Sequence, residues 1–434
     1  MANWITKCIV VKYINILDSL LFERVIFMNG FKKIYCRAFQ FAFKMALPIM
    51  PYREPEVLGS IKAVPEVLKS KGIRRVLLVT DRGIAKLGLE APLIKVLRKN
   101  NIKVLVYSDT VANPTVRNVE RARMMYLRGR CQGLIAFGGG SSMDCAKAVG
   151  ARLARPNKPL SKMEGILRVC RAIPILIAIP TTAGTGSETT LAAVITDERT
   201  HHKYPINDFA LIPDYAVLEP RATVGLPNDL TATTGMDALT HAVEAYIGGS
   251  TNSYTRQMAI GAVKLIFDNI ERAYNDGFDL EARANMLKAS YMAGNAFTRS
   301  YVGYVHAVAH SLGGCYGTAH GFANAVLLPH VLEAYGEAAY KKLAELSRAT
   351  GLSFSDNDER AAKAFIRKIK VLNRNMGIPR YIEGIKSEDI SRLARYADKE
   401  ANPLYPVPVL WDAKELEALY KRVQKNNHPI KAWE

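Results

Sequence analysis

The stretch GLIAFGGGSSMD, Gly133 to Asp144, decides the fold. The apolar residues Leu134 to Phe137 run straight into three glycines, and the helix-forming sequence DCAKAVGARLA follows from Asp144. A short run with no polar residue suits a strand covered on both faces. Glycines at its end let the backbone turn at once into a helix and approach a ligand closely, and the free N–H groups of that helix favour an anion. The pattern is neither GxGxxG nor a Walker loop, which carries a lysine after the glycines. Taken alone it describes either a phosphate cradle or a tight turn with no ligand.

Outward from it the pattern repeats. RRVLLVTD (Arg74 to Asp81) is an apolar run followed by a helical stretch through APLIKVLRKN. NIKVLVYSD and a helix around VRNVERARMMYLRGR come next, and PILIAIPTT runs into the loop AGTGSE. Short apolar strands alternating with helices predict a parallel, helix-covered α/β sheet. Asp81 ends a strand, where a doubly wound fold places the acceptor for ribose hydroxyls; it would also repel a 2′-phosphate, favouring NAD over NADP. The competing role is a helix N-cap. PTTAGTGSE offers hydroxyls and backbone donors at the same edge.

After Pro227 the period changes. DLTATTGMDALTHAVEAYIG, SYTRQMAIGAVKLIFDNIERAYN and ARANMLKASYMAGNAF repeat at helical spacing, as do the stretches up to KELEALYKRVQKN. The expected organisation is an α/β domain over 45–226 and an all-helical domain over 227–434. Residues 1–44 form a basic, aromatic-rich extension with either a membrane-surface role or none, Met45 then being the start of the folded body.

The chain has 434 residues and a formal net charge of +19. Its basic residues are mixed with acids, with no arginine-rich tail, so the positive field points to an anionic cofactor or acidic substrate rather than nucleic acid. Six cysteines without a CxxC pair read as free thiols of a reducing compartment, the cytoplasm. No membrane span is expected.

Three of the eight histidines fall in YVHAVAHSLGGCYGTAHGFAN, Tyr304 to Asn324. Upstream, Asp237 and His241 in MDALTHAVEAY are four apart and share one helical face. With His306 and His320 they would make a shell of three imidazoles and one carboxylate, donors that suit Fe(II), Zn or Mn better than Ca. The alternative is a set of hydrogen-bonded core histidines. Glu244, one turn beyond His241, either orients a ligand, caps a helix or is solvated.

On the segments GGGSSMDCAKAVG, IPTTAGTGSE, TGMDALTHAVEAY and VHAVAHSLGGCYGTAHGFANAVLLPHV, the chain resembles the iron-containing (group III) alcohol dehydrogenase family, in the branch of lactaldehyde reductase and propanediol dehydrogenase. The resemblance spans about residue 50 to the C-terminus. It implies a dehydroquinate synthase-like architecture, with a dinucleotide-binding α/β domain, a helical metal-binding domain and an active site in the cleft between. By motif, Asp237, His241, His306 and His320 would hold Fe(II), with Zn possible. His310 would stand near the nicotinamide and relay a proton or shape the pocket. Gly139, Gly140 and Ser141 would take the pyrophosphate of NAD, and Thr181, Thr182 and Thr185 the ribose and nicotinamide side. Asp81 matches the family's NAD-selecting acid, and Asn113 and Lys203 match further cofactor contacts. Two departures stand out: residues 1–44 have no counterpart, and Glu219 replaces the commoner Asp.

The implied activity is metal-dependent, NAD(H)-linked oxidation of short alcohols or diols, or reduction of aldehydes, in a homodimer or larger homo-oligomer. A hydroxyacid–oxoacid transhydrogenase, or another NAD and metal enzyme of the same fold, is the alternative.

Overall fold

The apolar runs pair as parallel strands. In the computed structural model, which describes residues 29–200, 202–425 and 433, the chain falls into two compact units, divided between Val224 and Gly225. The first carries β1 (Glu56–Leu58), α2 (Val64–Ser70), β2 (Arg75–Asp81), α3 (Arg82–Leu87), α4 (Ala91–Lys99), β3 (Lys103–Thr110), α5 (Val116–Arg128), β4 (Gly133–Gly138) and α6 (Gly140–Ala154). It continues with β5 (Gly165–Ile166), β6 (Leu176–Pro180), β7 (Ala192–Asp197), β8 (His202–Asn207) and β9 (Tyr215–Val217). A helix preceding all of these, α1 (Asn29–Ala46), belongs to the second unit.

Six strands form one sheet in the order β1-β9-β6-β4-β2-β3, every pair parallel. Both faces are covered, which explains the unbroken apolar runs. Leu77, Val79, Leu134 and Ala136 pack with Val119 and Val149 on one face. Val76, Leu78, Ile135 and Phe137 pack with Leu68, Leu93 and Leu97 on the other. Because the strands are parallel, their carboxyl ends share one edge. Helix α5 starts there behind a capping box, Thr115 and Asn118 exchanging side-chain and backbone bonds. A second sheet, β5-β8-β7, with β7 and β8 antiparallel, has no counterpart in the sequence reading. β7 (AAVITD) groups its apolar residues without alternation and β8 (HKYPIN) contains a proline, so neither of these two reads as a half-buried strand.

The second unit is helical: α7 (Asn228–Ile247), α8 (Ser253–Asn275), α9 (Leu280–Ser300), α10 (Tyr304–Tyr316), α11 (His320–Tyr335), α12 (Glu337–Ala349), α13 (Asp358–Asn375), α14 (Ile390–Ala401) and α15 (Ala413–Val423). No Asp, Glu, Lys or Arg occurs between Arg299 and Glu333. That run breaks at Gly317 into two helices, and no helix among the described residues is long and apolar enough to cross a membrane.

Helix α1 straddles Met45, the expected start of the folded body. Its Cys36, Gln40 and Phe43 are buried against the helical unit. Gln40 donates to the carbonyls of Pro403 and Tyr405, and Lys32 pairs with Asp398 at 2.6 Å. The proposed membrane-surface segment lies otherwise, over residues 1–28, outside the described residues.

Candidate metal centre and cofactor edge

In the helical unit α7 presents Asp237 and His241, α10 presents His306, and α11 opens on His320. One ligand atom from each of these four lies within 4.8 Å of the others. His306 Nε2 stands 3.8 Å and His320 Nε2 3.4 Å from Asp237 Oδ1. The ring of His241 is stacked between Phe297 (4.1 Å) and His306 (4.5 Å). Such close approach of α11 to α7 needs Gly321, where a Cβ would lie 2.5 Å from the carbonyl oxygen of Thr233.

Two carboxylates fix this cluster differently. Glu244 is buried on α7. It accepts from the backbone N–H groups of Gly303 and Val305 at 2.8 Å each, capping α10, and its Oε2 is 2.6 Å from His306 Nδ1. The capping and orienting roles are therefore filled by one side chain, and solvation plays no part, with 1% of it exposed. Asp237 is held by Asn324, whose Nδ2 donates to Oδ1 at 2.7 Å. Asn324 is wholly buried one turn into α11 and was given no role by the sequence reading. Its place in HGFAN, one turn after His320, was the available signal.

Electrostatics favour ligation. Burial, then the charges of His241, His320 and His310, drives the His306 pKa well below the usual 6.5, so the ring is neutral. Burial also pushes Glu244 up to about 8 against the pull of the two N–H groups. Placing a divalent cation among these atoms would return Glu244 to the carboxylate and His306 to the Nδ1–H form. His306 Nε2 is buried and takes no hydrogen bond among the described residues. Three imidazoles and one carboxylate, with the Nε2 edge of His306 oriented and unbonded, fit a transition-metal dication.

His310 lies outside the four. It is one turn beyond His306, its ring stacked on His320 at 5.0 Å, and its side chain is 41% exposed.

In the α/β unit the candidate cofactor residues gather at the carboxyl edge of the sheet. Asp81 ends β2 and caps α3, Oδ1 accepting from the N–H of Ile84 at 3.0 Å, while Oδ2 stands 3.5 Å from Ser142 Oγ. Gly139 is the N-cap of α6 and Gly140 its first residue, packed so close under Thr185 that a Cβ would come within 3.1 Å of it. Thr181 follows β6 and donates its N–H to the carbonyl of Gly138 at 3.0 Å; Thr182 lies over Gly139. Asn113, in left-handed backbone (φ 56°), donates its N–H to Ser141 Oγ at 3.3 Å and accepts from Lys203 Nζ at 2.7 Å. Lys203 reaches this edge from β8 of the small sheet.

A group without a place in the sequence reading holds the edge from behind. Lys147 on α6 is wholly buried and donates to the carbonyls of Ser187, Thr190 and Ala192 and to two hydroxyls, at 2.7–3.1 Å. Burial lowers its pKa to about 8. Glu219, the departure noted above, accepts from Ser60 Oγ at 3.1 Å, just beyond the carboxyl ends of β9 and β1.

Comparison with known proteins agrees with this division. The family description "Iron-containing alcohol dehydrogenase" matches residues 57–220, and "Fe-containing alcohol dehydrogenase family, C-terminal" matches residues 231–424. Alcohol dehydrogenase 4 of Saccharomyces cerevisiae is 39% identical over 368 residues, covering 84% of this chain and 94% of that protein. A crystal structure of 1,3-propanediol oxidoreductase superposes with a TM-score of 0.82 at 35% identity, over 86% of this chain and 99% of that one. Sulfoacetaldehyde reductase from Bifidobacterium kashiwanohense, solved in complex with NAD+, superposes with a TM-score of 0.77 at 27% identity, over 86% and 98%. The fold and the family matches thus define an oxidoreductase built of a parallel α/β unit and a helical unit. The chain belongs to the iron-containing alcohol dehydrogenase family.

Proposed function

We propose that this alcohol dehydrogenase interconverts short-chain alcohols or diols with their aldehydes, using NAD(H) and one divalent metal ion, Fe(II) foremost and Zn(II) otherwise. The observation that carries the reading is the convergence of Asp237, His241, His306 and His320 within 4.8 Å, with His306 fixed by Glu244. When bound, the cation supplies Lewis acidity toward the alcohol or carbonyl oxygen, and the nicotinamide supplies the hydride acceptor or donor.

The residues divide the work. Asp237, His241, His306 and His320 hold the cation; Glu244 and Asn324 orient two of them. Asp81 accepts from ribose hydroxyls and disfavours a 2′-phosphate, selecting NAD over NADP. The N–H groups at Gly139, Gly140 and Ser141 receive the pyrophosphate. Thr181, Thr182 and Thr185 line the ribose and nicotinamide side, and the Asn113–Lys203 pair closes the edge. His310 exchanges the alcohol proton, its exposed imidazole suiting transfer to water.

The test is NADH oxidation with a panel of short aldehydes, by protein purified without oxygen and loaded with Fe(II) or Zn(II). Turnover that needs metal, prefers NADH to NADPH and is lost in His306→Ala together with the bound metal supports the reading. Tight NADH binding with no net NADH consumption on any aldehyde would contradict it and favour transfer between a hydroxy acid and an oxo acid.

A further inference from the structure

Helix α10 carries two imidazole–carboxylate pairs one turn apart. His306 Nδ1 meets Glu244 at 2.6 Å inside the core, and His310 Nδ1 meets Glu400 Oε1 at 2.6 Å where both side chains are about a third or more exposed. Glu400 stands near the end of α14, a helix packed along α10. Its Oε1 also accepts from Tyr405 Oη at 2.8 Å. Tyr405 is buried, and burial followed by the charge of Glu400 holds its phenol well above the usual range, so it remains a donor. One oxygen is thus pinned from both sides. Because an ionised carboxylate only accepts, this pinning puts the hydrogen of a neutral His310 on Nδ1 and its lone pair on Nε2.

The two pairs differ in what they can do. The buried pair holds a ring whose Nε2 points among the other candidate ligands. The exposed pair holds a ring outside the four, stacked on His320, in contact with solvent. A proton leaving a reacting oxygen needs an acceptor that is both oriented and open to water.

We propose that Glu400, held by Tyr405, is a positioning residue that fixes His310 in the Nδ1–H tautomer and so presents Nε2 for proton exchange in alcohol oxidation. The inference rests on the reading of His310 as the group that exchanges the proton. No covalent bond to the protein is involved: Nε2 takes one proton from the alcohol and returns it to water.

The experiment uses full-length, Zn(II)-loaded protein labelled with nitrogen-15 at histidine, its His310 signals assigned by their loss in His310→Ala. Tautomer is read from the imidazole nitrogen shifts in wild type, Glu400→Met, Glu400→Gln and Tyr405→Phe, with kcat and the KM for NADH measured on each. Expected are an Nδ1–H ring in wild type and mixed tautomers in Glu400→Met. That variant should lose about 10- to 100-fold in kcat with an unchanged KM for NADH and unchanged metal content. Glu400→Gln, which keeps an acceptor, should retain most of both, and Tyr405→Phe should fall between. An Nε2–H ring in wild type, an unaltered tautomer in Glu400→Met, or an altered tautomer with undiminished kcat would each overturn the proposal. Absence of alcohol or aldehyde turnover in wild type would instead overturn the proposed function, because the tautomer measurement does not depend on activity.

Discussion

Glu244 shows how one side chain can build a site: it caps α10 and orients His306 with the same carboxylate. Replacing it by Ala should weaken metal binding by about 10- to 100-fold, as loss of an outer-shell partner does elsewhere. Metal titration with circular dichroism as a folding control checks this; unchanged affinity would remove Glu244 from the site. His330 on α11 offers a separate test of burial. Its ring bonds the carbonyl of Arg380 at 3.1 Å, and burial, first among its causes, lowers its pKa to about 4. Below its ordinary 6.5 the unfolded chain takes up a proton that the folded ring refuses until about 4. This stability is therefore whole above 6.5 and declines as the pH falls toward 4, by on the order of 3 kcal/mol. His330→Gln should flatten that part of the stability profile relative to wild type; an identical slope would refute the assignment. At this scale the sequence is partly legible. Spacing alone puts Asp237 and His241 on one face, but Asn324 and Glu400 gain their roles from partners on other helices, 87 and 90 positions away.

Among the elements, α6 and α1 matter most. Helix α6 begins at the glycines and, two turns later, anchors the loop after β6 through Lys147. Lys147→Met would strand several buried carbonyls, each costing about 1–3 kcal/mol. A lowered melting temperature and weaker NADH affinity should follow together, read by calorimetry and fluorescence titration. An unshifted NADH affinity would separate the anchor from the cofactor edge. The lysine's partners lie 40 to 45 positions on, in and just after a loop rich in hydroxyls and glycines, so the anchor is invisible before folding. Helix α1 illustrates the opposite error. Its basic and aromatic content reads as an appendage, yet Cys36, Gln40 and Phe43 lie at spacings of four and three and are buried. A chain beginning at Met45 should expose the surface they cover and melt at lower temperature. Equal melting of the two chains would show that α1 contributes nothing to stability.

Over the whole molecule, the strand–helix alternation and the switch to helical period near Pro227 made both architectures readable, because buried strands and amphipathic helices leave different periods in the chain. The β7–β8 hairpin escaped, and with it the physical reason why Lys203 meets Asn113. The proposed activity requires that the helical unit hold one metal ion on Asp237, His241, His306 and His320. The most direct measurement is anomalous scattering at the iron edge from crystals grown without oxygen after Fe(II) loading. A single strong peak per chain is expected within bonding distance of those four side chains, absent in His306→Ala. A peak elsewhere, or none in a protein that still oxidises NADH with aldehydes, would contradict it.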